Sequence, residues 1–169
     1  FIGYEISTSL LRDYDLSSNI LGVGLMSHPN DPWMLNNRAY VNARINKLDE
    51  AEKDMEQLEH CNKALSESMS ICKEATHGLI AYRRKDREKG RKLYEQAILR
   101  ASTMKENSEE IKVKAQINML REEIIFSNYQ NTSALMELEQ LVIPNEKLEL
   151  VKLRNEVFDE MKKNEKNQG

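Results

Sequence analysis

The chain has 169 residues, with 25 Lys and Arg against 28 Asp and Glu, a formal net charge of −3, six Gly and three Pro. That length suits one domain with a sizeable core, and few chain breakers among many Glu, Lys, Leu and Met favour an all-helical protein over a sheet protein. The near-neutral charge argues against a nucleic-acid surface, and no run approaches the roughly 18 apolar residues of a membrane span.

In chain order, "SHPNDP" at 27–32 reads as a link into a helix, with Asp31 as N-cap and Pro32 in the first turn. That helix carries Asn36, Asn37 and Asn42 among apolar residues, although asparagine competes for nearby backbone groups and is a mediocre helix former. A polar turn at Asn46-Lys47 leads into a second helix. Residues 59–68 form either an extended loop or extra helical turns. The stretch 75–98 then repeats the first layout: a small residue (Ala39, then Gly78), a basic-rich turn (Lys85-Asp86), and a second small residue (Ala51, then Gly90) twelve positions after the first. Four residues further on stands a bulky side chain, Met55 or Tyr94. Small residues at two fixed points let paired helices approach closely, and the bulky one fills the adjoining groove. Val113, Ile117, Leu120 and Ile124 follow at helical spacing, then Ala134, Leu138 and Leu141. A last helix, 145–163, takes Asn145 as N-cap and lines up Leu150, Leu153, Val157 and Met161 on one stripe. The lysine-rich tail 162–169 should fray.

This layout resembles the tetratricopeptide repeat (TPR), a helix–turn–helix unit of about 34 residues. Counting a unit from Pro32, Leu35, Ala39 and Ala51 meet the pattern, and Met55 stands in for its aromatic; counting from Ile71, so do Gly78, Gly90, Tyr94 and Ala97. Pro29 falls on the closing Pro of an earlier unit whose second helix holds Ser17, Leu21 and Gly24. Glu5 stands where that unit's first helix wants a small residue, so the helix reads as truncated. The resemblance implies an all-α superhelix, a TPR-like solenoid of three to four antiparallel helix pairs. Its units lie near 1–31, 32–65, 71–104 and 108–142, and the helix 145–163 covers the last apolar face.

In that family the first helix of each unit lines a concave groove. Carried across, the groove residues are Trp33, Asn36, Asn37, Tyr40 and Arg44 of one unit and Thr76, Leu79 and Arg83 of the next. Asn36 and Asn37 each pair a carbonyl with an amide and could hold the backbone of an extended guest, or they merely open the helix. Asn42 falls on a packing position, which this reading leaves unexplained. Arg44 and Arg83, in register, would grip acidic groups of a guest, or pair with neighbouring Asp or Glu at the surface. The repeats that clamp a chaperone's terminal carboxylate need Lys, Asn and Arg where this chain has Ile2, Ile6, Cys72 and Thr76, so that activity is not expected.

His60, Cys61, Cys72 and His77 match no zinc spacing. The run 83–92 is basic, but it spans a turn and lacks interleaved aromatics. Glu122 and Glu123 are adjacent on a helix and face different ways, so they do not converge for acid–base work. The expectation is therefore a non-catalytic module that binds a peptide or partner segment, with no metal or cofactor and no membrane contact. A regulatory arm of a larger enzyme, such as a nuclease or signalling protein, and a self-associating module are the alternatives. Two cysteines without a CxxC pattern and the absence of a signal peptide point to the cytoplasm, and a start at Phe1 points to a piece of a longer protein.

Overall fold

A computed structural model describes residues 2–61 and 64–168, apart from the side chains at 5, 6, 9, 10, 165, 167 and 168. The expectations set on Glu5 and Ile6, and on Asn62 and Lys63 in the 59–68 connection, lie outside the described residues. The protein is all-α, and among the described residues there is no strand. A short α1 (Ile2–Glu5) runs into a π-helical segment (Ile6–Leu11), followed by α2 (Tyr14–Ser27), α3 (Pro32–Arg44) and α4 (Leu48–Glu59). Then come α5 (Glu67–Arg83), α6 (Arg87–Thr103), α7 (Ser108–Phe126), α8 (Thr132–Gln140), a 3₁₀ turn (Pro144–Glu146) and α9 (Leu148–Gln168).

Short polar side chains start most of these helices. Asp13, Asp31, Ser66, Asp86 and Asn131 each accept a hydrogen bond from a first-turn amide, which satisfies a donor the helix cannot. Ser66 accounts for the 59–68 connection: α5 begins at Glu67, so part of the stretch became an extra turn ahead of Ile71.

The ends of α3, α5 and α7 share one geometry. Asn46, Lys85 and Asn128 take left-handed φ of 63°, 70° and 52°. The amides of Lys47, Asp86 and Tyr129 then reach back to the carbonyls of Asn42, Ala81 and Ile124 at 2.8, 2.9 and 2.8 Å. Each is a six-to-one helix-closing bond. The same stop therefore recurs three times without a glycine.

One sequence expectation changes at the C-terminus. Asn145 does not cap the last helix: it takes φ of 52° in the turn after Pro144, and α9 starts only at Leu148. The helical backbone of α9 runs as far as Gln168.

The small residues sit where close approach requires them. A β-carbon on Gly90 would lie 3.0 Å from the Gly78 carbonyl oxygen, and one on Gly78 would lie 3.1 Å from that of Gly90. Ala39 and Ala51 are fully buried in one core with Met55, and Tyr94 is buried against Gly78. One core joins α1 to α6, with Ala115 of α7 packed in. A second joins Val113, Ile117, Leu120 and Ile124 of α7 to Leu138 of α8 and to Leu150, Leu153 and Val157 of α9.

This packing orders the inner helices. Helix α3 touches α5, α5 touches α7, α7 touches α9, and α9 reaches the π-helical segment. Tyr4 closes the circuit. Its ring meets that of Trp33 on α3 edge-on, with centroids 5.1 Å apart.

Candidate functional site

The ring of inner elements encloses a cleft. Its main chamber, about 290 Å³, is walled by Tyr4 and Arg12 of the N-terminal stretch, Trp33, Asn36, Asn37 and Tyr40 of α3, Cys72 of α5, Lys114 of α7, and Glu149 and Leu153 of α9. A deeper chamber of about 100 Å³ shares Tyr4, Asn36, Asn37, Tyr40, Cys72 and Lys114, and adds the apolar side chains of Ile71, Ala75, Tyr94, Ile111 and Ala115. Four of the eight groove residues read from the sequence (Trp33, Asn36, Asn37 and Tyr40) thus line the main chamber, and Thr76 lines the deeper one.

The groups these residues offer differ from the sequence reading. Asn37 has both ends engaged within the chain: its Oδ1 accepts from Tyr4 Oη at 2.8 Å, and its Nδ2 donates to the Trp33 carbonyl at 2.8 Å. Thr76 is buried and donates to the Cys72 carbonyl. Leu79 is fully buried in the core, so it offers a guest no surface. Asn36 is 4% exposed, and its Oδ1 has no hydrogen-bond partner among the described residues. Asn42 finds its explanation across the fold: Ser18 Oγ donates to its Oδ1 at 2.7 Å, which ties α2 to α3.

Arg44 and Arg83 both hold carboxylates of this chain, but these pairs are largely buried rather than the surface pairs that the sequence offered as the alternative. Arg83 forms a two-pronged pair with Glu122 at 2.7 and 3.0 Å. Arg44 lies over the Tyr14 ring at 4.4 Å and donates to Glu156 of α9 at 2.9 Å. The same carboxylate takes Tyr14 Oη at 3.0 Å and lies 3.2 Å from Arg12 Nη1.

From Arg44 the polar chain continues inward. Its Nη1 donates to Tyr40 Oη, which donates to Asn118 Oδ1 at 3.0 Å. Asn118 Oδ1 also accepts from Arg121 Nη1 at 2.7 Å, and Arg121 Nε donates to Glu122 at 2.8 Å. Arg121 is fully buried, where an uncompensated charge would be prohibitive. Glu122 supplies the compensation. Burial disfavours its charged form, but Arg121 and Arg83 outweigh that and hold the carboxyl below its usual range. Glu123 does point elsewhere, to Tyr82 and Arg87.

Cation crowding also acts on the tyrosines. Burial pushes Tyr40 up, yet Arg44, Arg121 and Lys114 together bring it down to about 8. Tyr14, where burial prevails over Arg44, rises to about 12. Glu149, 2.8 Å from the ammonium of the half-exposed Lys114, raises its pKa.

No sequence signal marked Arg12, Tyr14, Lys114, Asn118, Arg121 or Glu156 as parts of this site. Their partners lie far along the chain, and only the polar interruptions in α7's apolar run could have flagged Asn118 and Arg121. Among the described residues, no group of three or more His, Cys, Asp or Glu is placed to hold a metal. Nor is any helix among them long and apolar enough to cross a membrane. The chain matches no family model, no curated protein and no solved structure.

Proposed function

We propose that this chain is a TPR-like helical repeat acting as a non-catalytic interaction module, which takes a segment of a partner protein into the cleft between its inner helices. What supports the repeat reading is the shared stop of α3, α5 and α7 and the close approach of Gly78 to Gly90. The functional reading rests on one observation: four residues of α3 that sequence register assigns to a groove face a chamber walled by five separate elements. Concave sites with an apolar lining and a few polar groups are the default location for a guest. Aromatic side chains such as Trp33 and Tyr40 supply large contact area.

Arg44 and Arg83 are held by Glu156 and Glu122, so recognition falls to Asn36, Trp33, Arg12 and Lys114. Two free, half-buried thiols suit a reducing compartment, in keeping with a cytoplasmic protein. The reading is tested with an immobilised array of short peptides, probed with the wild type and with Trp33→Ala. Binding that Trp33→Ala weakens about tenfold or more, with the melting temperature kept within a few degrees, supports it. Equal binding by both proteins to every positive peptide removes it.

A further inference from the structure

Two polar atoms in the cleft wall lack partners among the described residues, and they are of opposite kind. Asn36 Oδ1 is an acceptor and Arg12 Nη2 is a donor. Native proteins rarely leave such groups unmet, because burial removes their water without replacing it. Both residues line the main chamber, and Asn36 lines the deeper one as well.

The chambers differ in character. Ile71, Ala75, Ile111 and Ala115 give the deeper one an aliphatic wall, beside the polar Thr76 and Asn118. The main chamber carries more charge, with Arg12, Glu110 and Glu149, and Lys114 belongs to both. Arg12 shares Glu156, its sole ion partner among the described residues, with Arg44. Lys114 uses one of its three N–H donors on Glu149, and Glu110 is taken by Lys147. An aliphatic recess, an acceptor belonging to both chambers, and two cations with donors to give thus line one continuous wall.

We propose that the cleft recognises an aliphatic α-amino acid unit: the side chain enters the deeper chamber, an N–H meets Asn36 Oδ1, and the carboxylate is received by Arg12 Nη2 and the Lys114 ammonium. This rests on the cleft being the binding site and gives its guest a chemistry. A carboxylate fits better than a neutral carbonyl, because a guanidinium and an ammonium flank the space and one of their counter-charges is shared. A free amino acid and the last residue of a peptide share the carboxylate and the aliphatic side chain; the first offers Asn36 an ammonium N–H and the second an amide N–H.

The test is calorimetric titration of the intact chain with L-leucine, L-leucinamide, and a glycyl-glycyl-leucine peptide with a free or an amidated end. The free acids bind and the amides bind roughly tenfold more weakly or not at all, as loss of a charge-assisted hydrogen bond requires. L-leucine active alone identifies the free molecule, and the peptide acid active without it identifies a chain end. Amides binding as tightly as acids, or no binding in any arm, overturns the proposal.

Three further measurements locate the site. Cys72 lines both chambers, so in a Cys61→Ser background the bound ligand slows its alkylation in proportion to occupancy; no slowing at saturation overturns the assignment. Ala75→Leu fills the deeper chamber and abolishes binding while the helical circular dichroism is retained. Arg12→Gln weakens the acids and leaves the amides unchanged. If an internal peptide blocked at both ends binds in a Trp33-dependent way while every leucine arm is silent, the interaction module stands and the amino acid reading falls.

Discussion

Arg44 on α3 and Glu156 on α9, separated by 112 residues of chain, meet at 2.9 Å with only 3% of the arginine side chain exposed. The contact joins the last helix to the middle of the fold, and through Arg12 and Tyr14 to its beginning. Sequence register had placed Arg44 where a guest's acid would sit. The acid is the protein's own.

A buried charge left without its partner costs far more than the pair contributes. Arg44→Met should therefore destabilise the fold by about 3 kcal/mol, since Glu156 keeps only Arg12 and Tyr14. Adding Glu156→Leu should recover part of that loss. Urea denaturation of the two single variants and the double variant measures the coupling, expected at about 1 kcal/mol or more. Additive losses would show that the contact carries no stability.

Glycines 22 and 90 should respond in opposite directions. A β-carbon at Gly90 would stand 2.5 Å from Tyr82 Cδ2 and 3.0 Å from the Gly78 carbonyl, so Gly90→Ala must push two helices apart, at a cost of about 1–3 kcal/mol. At Gly22 the nearest atom is the far end of Arg38 at 3.7 Å, so Gly22→Ala in α2 should stabilise by about 0.5–1 kcal/mol. Thermal melts of both variants decide the matter.

Tyr40 should ionise early, at about 8, ahead of Tyr14, Tyr82, Tyr94 and Tyr129, all of which burial raises. Its folded value lies below the unfolded one of about 10, so its contribution to stability is fully present above pH ~10 and is lost as pH falls through 8. Tyr14, raised to about 12, acts in the opposite sense, and its contribution is lost as pH climbs through that value. Phenolate absorbance during a pH titration should show an early step of one tyrosine. Arg44→Met should move that step upward; an unmoved step would mean that the cation does not act on the ring.

Glu122 should govern acid sensitivity. Its carboxyl is held below the usual range by Arg121 and Arg83, so its stabilisation is intact above the unfolded value of about 4.3 and lost as pH falls through the depressed folded value. Glu122→Gln should be destabilised at neutral pH by roughly 3 kcal/mol, because Arg121 loses its counter-charge. It should then lose less on acidification than the wild type does. Parallel stability curves for the two proteins would contradict this.

The elements with local signals were the ones legible in the sequence. Asp31 and Pro32 open α3 as expected, since a cap acts within one turn. The apolar spacing of Val113, Ile117, Leu120 and Ile124 found α7, and the Gly78–Gly90 pair found a helix contact. What escaped depended on distance along the chain or on unusual chemistry. Asn46, Lys85 and Asn128 close three helices in a conformation that glycine would advertise and these residues do not. Asn42 looked anomalous because its partner, Ser18, sits in another helix. Asn37 looked available because Tyr4 is far away in sequence. Opposite the apolar stripe of α9 stand Lys and Glu side chains, and nothing local distinguishes Glu156 from exposed neighbours such as Asn155 and Asp159.

The back-contact from α9 to the N-terminal stretch gives this stack the topology of a hoop. An open array can gain or shed a module with only neighbouring interfaces disturbed, and it can peel from either tip. Here an inserted pair of helices would carry Glu156 out of reach of Arg12 and Tyr14. Lengthening by duplication would therefore break the closure, and under pulling force neither tip can detach without first parting from the other.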